Sequence, residues 1–214
     1  MKNSGLFVAI EGVDGSGKTL QVKRVATLLK QHNHSIITTR EPGGSSFGGQ
    51  IREILCDPNQ KLDVVSEVFL LLADRHEHYM KIISKKLKGG NIVISDRYLD
   101  STFVYQGYAV NRDPQWIRDL LDKTQIKTPD LTIWLYLPID DALARVEKRN
   151  SEQSLIKPCY EQVDFLTKVV KGYETLYAQN NNNSVKKIDA RLPTEEVTDS
   201  IFRAIIDAWA KKNN

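Results

Sequence analysis

Residues 12–19 have the types and the spacing of a loop that binds nucleotide phosphates. They fit the pattern G-x-x-x-x-G-K-[ST] at every fixed position, reading Gly12, Val13, Asp14, Gly15, Ser16, Gly17, Lys18 and Thr19. Glycines let successive backbone N–H groups point inward at phosphate oxygens. The lysine can reach the β- and γ-phosphates, and the threonine hydroxyl can ligate Mg²⁺. The pattern predicts a nucleoside-triphosphate site, against the alternative of a glycine-rich turn that matches by chance.

The segments on either side of this loop are those that a phosphate site needs. Residues 6–10 form a short apolar run, typical of a strand buried on both faces, and a helical pattern follows over residues 20–31. The start of such a helix presents free N–H groups and the positive end of its dipole to the same anion.

Further along the chain, apolar runs alternate with helical patterns. The longest helical pattern covers residues 63–87, and four more strands are predicted at residues 35–39, 91–95, 131–137 and 185–188. This alternation predicts an α/β fold with a five-stranded, mainly parallel sheet and helices on both faces. No repeat or linker divides the chain, which predicts one domain over residues 1–214.

Two expectations about burial concern the longest helical pattern. Its middle, residues 68–73, is apolar nearly all round and is expected to be buried on several sides, with Phe69 in the core. His76 and His78 are two residues apart, so their side chains diverge on a helix and cannot form a paired metal site. We interpret both as surface histidines.

Composition indicates an ordinary globular chain. The hydrophobic fraction is 41%, the charged fraction is 27%, and the net charge of +3 permits an anionic substrate without favouring nucleic acid. Cys56 and Cys159 have no CxxC partner, which predicts buried or incidental thiols rather than zinc or a disulfide. No apolar run could span a bilayer, and the first strand begins too early for a signal peptide. We expect a cytoplasmic protein.

A phosphate loop alone does not distinguish a switch GTPase, a motor and a small-molecule kinase. The sequence has no N-K-x-D motif for reading guanine. Arg52, Arg75 and Arg97 lie in polar breaks beside apolar elements, where they could surround a second phosphate with bidentate donors. The alternative for each arginine is a surface ion pair. Arg97 directly follows a predicted strand, at the end where ligands bind in open α/β sheets.

The chain resembles thymidylate kinases of the bacterial type, which are P-loop nucleoside monophosphate kinases. The matching segments keep the family's order across nearly the whole chain: GVDGSGKT at 12–19, TREPGG at 39–44, Ile51-Arg52, ADR at 73–75, DRYLDSTFVYQG at 96–107 and PDLT at 129–132. The resemblance implies the P-loop NTPase fold, phosphoryl transfer from ATP and Mg²⁺ to dTMP giving ADP and dTDP, and a homodimer.

The resemblance also implies roles for individual residues. Asp14 would help to position the metal, waters or acceptor, together with the metal ligand Thr19. Arg97 and Arg52 would contact the acceptor phosphate, and Arg75 would read the thymine edge. The other residues implied at the dTMP site are Glu41, Pro42, Ser101, Thr102, Tyr105 and Gln106, with Tyr108 as a further candidate near the sugar.

The sequence departs from the family at three places. Gly15 stands where some relatives have an arginine, so another cation must meet the charge that develops during transfer. A basic, mobile lid at about 145–160 is expected to supply it through Arg149, with Lys157 as the competing candidate. In that lid, residues 156–159 read IKPC where relatives usually carry an Asp-Arg-x-Glu pattern. Leu71 replaces the usual stacking phenylalanine, so thymine would lie against an aliphatic surface.

Two other functions are compatible with these residues. One is a P-loop kinase for another monophosphate, such as dUMP or a deoxypurine nucleotide. The other is a nucleotide-binding regulator without catalysis, against which the intact Asp14, Lys18, Thr19 and Arg97 count. Turnover with a panel of monophosphates distinguishes all three.

Overall fold

The structure is a computed structural model that describes residues 4–57, 59–153, 163–178 and 184–213. Its strands form one sheet in the order β2-β3-β1-β4-β5, and every pairing is parallel. The strands are β1 (Leu6–Glu11), β2 (Ile36–Arg40), β3 (Ile92–Asp96), β4 (Leu131–Tyr136) and β5 (Val185–Asp189). The predicted α/β fold with a five-stranded sheet is confirmed.

Helices connect these strands and flank the sheet. They are α1 (Lys18–Gln31), α2 (Ser46–Cys56), α3 (Val64–His78), α4 (Ser84–Lys88), α5 (Leu99–Thr102), α6 (Gln115–Leu121), α7 (Ile139–Gln153), α8 (Val163–Ala178) and α9 (Thr194–Asn213). A π-helical turn at Tyr79–Ile83 joins α3 to α4, so the long helical pattern is one continuous element. A second π-helical turn at Phe103–Gly107 extends α5, and a 3₁₀ turn follows at Tyr108–Val110. None of the described helices is long and apolar enough to cross a membrane.

Strand β1 fixes the position of the phosphate loop. All six of its residues are buried, as expected for an apolar run covered on both faces. It pairs with β3 on one side and β4 on the other, and the strand order of the sheet reverses beside it. In open α/β sheets, ligands bind at such a switch point, outside the carboxyl ends of the strands. The loop that follows β1 therefore opens at the usual binding edge.

The expectation that residues 68–73 are buried on several sides is wrong. Val68 and Leu72 are buried, whereas Phe69 is 55% exposed. Val68, Leu72 and Arg75 follow the i, i+4, i+7 spacing of one helix face, and Phe69 is rotated away from it. Helix α3 is therefore amphipathic in this fold, and Phe69 is not a core residue.

His78 is fully buried, which corrects its interpretation as a surface histidine, whereas His76 is exposed as predicted. Both ring nitrogens of His78 have polar partners on neighbouring segments, which makes its burial possible. Cys56, expected to be a buried or incidental thiol, is exposed, which excludes the first alternative. Cys159 lies outside the described residues.

Helix α7 contains the first part of the predicted lid. Residues 145–153 form its last turns, so both Arg145 and Arg149 lie on the helix. Lys157 lies outside the described residues. The prediction of a lid at about 145–160 stays a prediction.

Candidate active site

Lys18 is the first residue of α1 and is almost fully buried beneath the phosphate loop. Its Nζ donates to the carbonyl oxygen of Val13 over 3.0 Å and lies 4.0 Å from the Asp14 carboxylate. Burial, together with the positive charge of Arg97, lowers the pKa of Lys18 to about 8. An anion in the loop would favour the charged form of this lysine and raise its pKa again.

Thr19 faces a carboxylate that the sequence did not assign to the metal. Its hydroxyl donates to Oδ2 of Asp96 over 2.5 Å. Asp96 ends β3, the neighbour of β1, so the parallel register brings the two side chains to one edge of the sheet. The signal in the sequence was the acidic residue at the carboxyl end of an apolar strand.

Asp14 and Arg97 form an ion pair beside the loop. Arg97 Nη2 lies 2.5 Å from Asp14 Oδ1, and the Tyr105 hydroxyl donates to Asp14 Oδ2 over 3.0 Å. Burial alone would raise the pKa of Asp14, but Arg97, Lys18 and Tyr105 together hold it well below its usual value. Asp14 is therefore a carboxylate at neutral pH, directed at Arg97 rather than at Thr19.

Arg75 is fully buried and held from two sides. Its Nε donates to Glu41 Oε2 over 2.6 Å, and Nη2 donates to the carbonyl oxygen of Tyr98 over 3.0 Å. The other oxygen of Glu41 lies 2.9 Å from Nδ1 of His78. Within the described residues, Nη1 of Arg75 is buried without a hydrogen-bond partner. This leaves one strong donor for a ligand.

His78 reaches Glu41 because the neighbouring loop has no side chain in the way. A Cβ atom added to Gly44 would lie 2.3 Å from Nε2 of His78. The same nitrogen lies 2.7 Å from the Thr39 hydroxyl. Gly44, the last residue of TREPGG, thus permits a close approach of the His78 ring that a residue with a side chain would prevent.

Two cavities open beside these groups. The residues that the resemblance places at the dTMP site, except for the further candidate Tyr108, line a cavity of about 310 Å³, together with Leu55, Cys56 and Tyr98. A second cavity of about 470 Å³ lies over the phosphate loop. Of the predicted loop residues, those that line it are Asp14, Gly15, Gly17, Lys18 and Thr19, whereas Gly12, Val13 and Ser16 do not.

The remaining predicted acceptor residues surround the first cavity. Arg52 Nη1 donates to the carbonyl oxygen of Pro42 over 3.1 Å. The Gln106 amide donates to Glu67 over 3.0 Å, which fixes its orientation next to buried Thr102. Leu71 is half-buried and offers the aliphatic wall expected from its type. Tyr108 does not line either cavity.

Helix α7 supplies two arginines to the phosphate cavity. Arg145 donates to the carbonyl oxygens of Gly15 and Ala190 over 3.4 and 2.9 Å. Arg149 lines both cavities and contacts the side chain of Asn150. Gly15 has a φ of +85°, and a Cβ there would lie 3.0 Å from a carbonyl oxygen of α7. This loop position therefore disfavours the arginine that some relatives have.

A phosphate loop that opens onto a second, arginine-lined pocket is the arrangement of P-loop kinases that phosphorylate a small acceptor. The sheet order and the shared wall of the two cavities place this protein in that class. The family profile described as thymidylate kinase matches residues 10–201. The chain belongs to the thymidylate kinase family.

Individual relatives agree with this assignment. A thymidylate kinase from Maridesulfovibrio salexigens is 36% identical over 207 residues, covering 94% of this chain and 93% of its own length. A thymidylate kinase from Wolbachia pipientis subsp. Culex pipiens is 35% identical, covering 97% of each chain. A third, from Wolbachia sp. subsp. Brugia malayi, is 39% identical over 80% of each chain.

Proposed function

We propose that this protein transfers the γ-phosphoryl group of ATP to dTMP, giving ADP and dTDP. The observation that carries the proposal is the shared wall of the two cavities, formed by Asp14, Glu41, Arg52, Arg97 and Arg149. In-line transfer needs donor and acceptor phosphates held end to end with their charges neutralised, and three arginines stand at that junction. Family membership and the names of the relatives support the same reaction.

On the acceptor side, Arg97 and Arg52 would hold the phosphate and Arg75 would read the base. The free Nη1 donor of Arg75 needs an acceptor, since burying it unpaired is costly. The carbonyl group at position 4 of thymine supplies one, whereas the amino group of cytosine would leave the donor unpaired. Discrimination against the wrong base then follows from the unpaired buried donor.

On the donor side, Lys18 would bind the β- and γ-phosphates. The Thr19 hydroxyl and the Asp96 carboxylate offer adjacent oxygen ligands that suit Mg²⁺, which binds few protein groups and completes its shell with phosphates and water. Held by these two residues, Mg²⁺ would supply positive charge that neutralises the transferred phosphate. Asp14, the other predicted ligand, lines the same cavity but is bound by Arg97 and Tyr105.

Arg149 is our candidate for the cation that the loop lacks at Gly15. Its position on both cavities lets one guanidinium meet the group in transfer, and a preorganised positive charge there lowers the barrier. Arg145 is bound to backbone carbonyl oxygens instead.

We also propose a homodimer, as the resemblance implies. Helices α2 and α3 pack against each other and leave large apolar side chains exposed, among them Phe47 and Ile54 on α2 and Phe69 on α3. Exposed apolar surface on adjacent helices is typical of an interface.

An assay of ADP release with ATP, Mg²⁺ and one acceptor at a time tests the reaction. The acceptors are dTMP, dUMP, dCMP and dGMP, with an acceptor-free control. A clear preference for dTMP is expected. Preference for dCMP would retain the kinase and contradict the base-reading role of Arg75. Preference for dUMP would retain both the kinase and that role, since uracil carries the same carbonyl group at position 4, and would replace dTMP as the acceptor. The lack of any acceptor-dependent release would contradict the proposal.

A further inference from the structure

We propose that Glu11 and Tyr173 are positioning residues that orient the guanidinium of Arg97 toward the acceptor phosphate. The proposal rests on the proposed function, because it is there that Arg97 is assigned to this phosphate. Neither Glu11 nor Tyr173 lines either cavity. They act through Arg97, and no motif marked them in the sequence.

Arg97 needs such support because its backbone conformation is unusual. Its φ of +67° lies in the left-handed region, which a residue with a side chain rarely adopts. The backbone is fixed on both sides, since Arg97 N–H donates to the carbonyl oxygen of Ile10 and Tyr98 N–H donates to Glu11 Oε1 over 2.7 Å. Glu11 therefore stabilises the turn that directs Arg97 into the site.

The Glu11 carboxylate is fully buried and accepts hydrogen bonds at both of its oxygens. Oε1 also accepts from Ser101 N–H over 3.3 Å. Oε2 accepts from the Ser101 hydroxyl over 2.6 Å and from the Tyr173 hydroxyl over 2.9 Å. A buried carboxylate satisfied in this way forms a rigid anchor at the end of β1.

The two hydroxyl groups connect this anchor to Arg97. Nη1 of Arg97 donates to the Ser101 oxygen over 3.1 Å and approaches the Tyr173 oxygen at 3.4 Å. The same nitrogen also donates to the carbonyl oxygen of Gly12 over 3.1 Å, so three oxygens share its two protons. A guanidinium only donates and a carboxylate only accepts, so a hydroxyl that links the two accepts from Arg97 and gives its single proton to Glu11.

This network opposes a competing contact. Nη2 of Arg97 lies 2.5 Å from Asp14, and this charged pair draws the guanidinium toward the phosphate loop. The two hydroxyls, together with the carbonyl oxygen of Gly12, hold Nη1, so both terminal nitrogens of the guanidinium are fixed. Because Tyr173 belongs to α8 and Glu11 to β1, the orientation of Arg97 depends on how α8 lies against the carboxyl end of β1.

The decisive experiment compares the binding of dTMP and thymidine by calorimetry. Tyr173→Phe removes only the hydroxyl group, and we expect dTMP affinity to fall about tenfold while thymidine affinity changes less than about twofold. The matched control is Tyr177→Phe, one helical turn away, whose hydroxyl bonds to Asp100 rather than to Arg97. Equal losses for dTMP and thymidine, or no loss for dTMP, would overturn the proposal.

Two further variants test the route through Arg97. Glu11→Gln keeps the shape but places a donor against the hydroxyls, so a larger loss of dTMP affinity is expected at unchanged circular dichroism. In an Arg97→Met background, Tyr173→Phe should have no further effect on turnover with dTMP. Additive losses would contradict the inference alone, whereas a wild-type protein without dTMP turnover would contradict the proposed function.

Discussion

Lys18 is a residue whose charge depends on the ligand that it is placed to bind. Its pKa of about 8 in the folded protein lies below its usual value of 10.5, because of burial and then Arg97. Below about pH 8 the lysine is charged in both states, and the folded protein bears the full free-energy cost of burying that charge. This cost falls as the pH rises from about 8 toward 10.5, because the folded state loses the proton first. Stability of the unliganded protein gains from this residue only at alkaline pH.

We predict that ATP binding takes up a proton near pH 8.5. The triphosphate favours the charged lysine, so a fraction of Lys18 that is neutral in the free protein becomes protonated in the complex. Calorimetry at pH 8.5 in two buffers with different heats of ionisation measures the uptake. Lys18→Arg is the control, since arginine stays charged, and equal uptake by that variant would contradict the assignment.

His78 permits a second prediction at the scale of single residues. His78→Asn removes the contacts with Glu41 and Thr39 from the buried cluster behind Arg75, at a cost of about 2 kcal/mol in the free energy of unfolding. The Michaelis constant for dTMP should rise as well, because Glu41 loses a partner that fixes Arg75. Urea unfolding and steady-state kinetics measure the two effects.

The neighbouring exposed histidine provides the matched control. His76→Asn should change the free energy of unfolding by less than about 0.5 kcal/mol and leave the kinetics unaltered. Similar effects of the two substitutions would show that the buried contacts of His78 contribute neither to the free energy of unfolding nor to dTMP binding.

At the scale of elements, α7 brings two arginines to the phosphate cavity in different states. Arg145 is bound to backbone carbonyl oxygens, whereas Arg149 lines both cavities. We predict that Arg149→Ala lowers kcat by about 100-fold, the usual effect of removing a transition-state donor. Arg145→Ala should act mainly through the Michaelis constant for ATP, because it releases the backbone of the loop at Gly15.

Steady-state kinetics of these two variants and of Lys157→Ala measure this prediction. An unchanged kcat in Arg149→Ala, combined with a strongly reduced kcat in Lys157→Ala, would transfer the role to the lysine. Arg149→Lys is a useful companion, since it keeps the charge but loses the planar fork.

The elements also show what the sequence could predict. The strands were predictable because apolar runs such as β1 are buried on both faces and read continuously. Most residues that line the 310 Å³ cavity could be named from the sequence because they lie in contiguous motifs, whereas Leu55 and Cys56 lie outside those motifs. The burial of individual residues on α3 was not predictable, because an apolar sequence does not reveal which face of the helix packs against the rest of the protein.

Residues that act through distant contacts were missed for the same reason. Glu11 and Tyr173 meet across 162 positions of the chain. Asp96 reaches Thr19 only because parallel pairing aligns β3 with β1. Their roles arise from tertiary packing, which local patterns do not encode.

At the scale of the whole molecule, the exposed apolar side chains on α2 and α3 predict self-association. Phe69 is 55% exposed although it lies in an apolar stretch, and Phe47 on α2 is 41% exposed. A two-fold interface would bury the same patch on both subunits. Such an interface would also explain why residues 68–73 are apolar nearly all round, since the face that is bare in one chain would be covered in the pair.

We predict that Phe69→Glu weakens the homodimer by more than about tenfold, because a charge would be buried without a partner in each subunit. Analytical ultracentrifugation over a range of concentrations measures the dissociation constant. Val163→Glu, at a site on α8 with 58% exposure, is the control and should not alter it. A monomeric wild-type protein would refute the homodimer, and equal weakening by both variants would place the interface elsewhere. Circular dichroism of Phe69→Glu should remain that of the folded protein, since this side chain contributes little to the core.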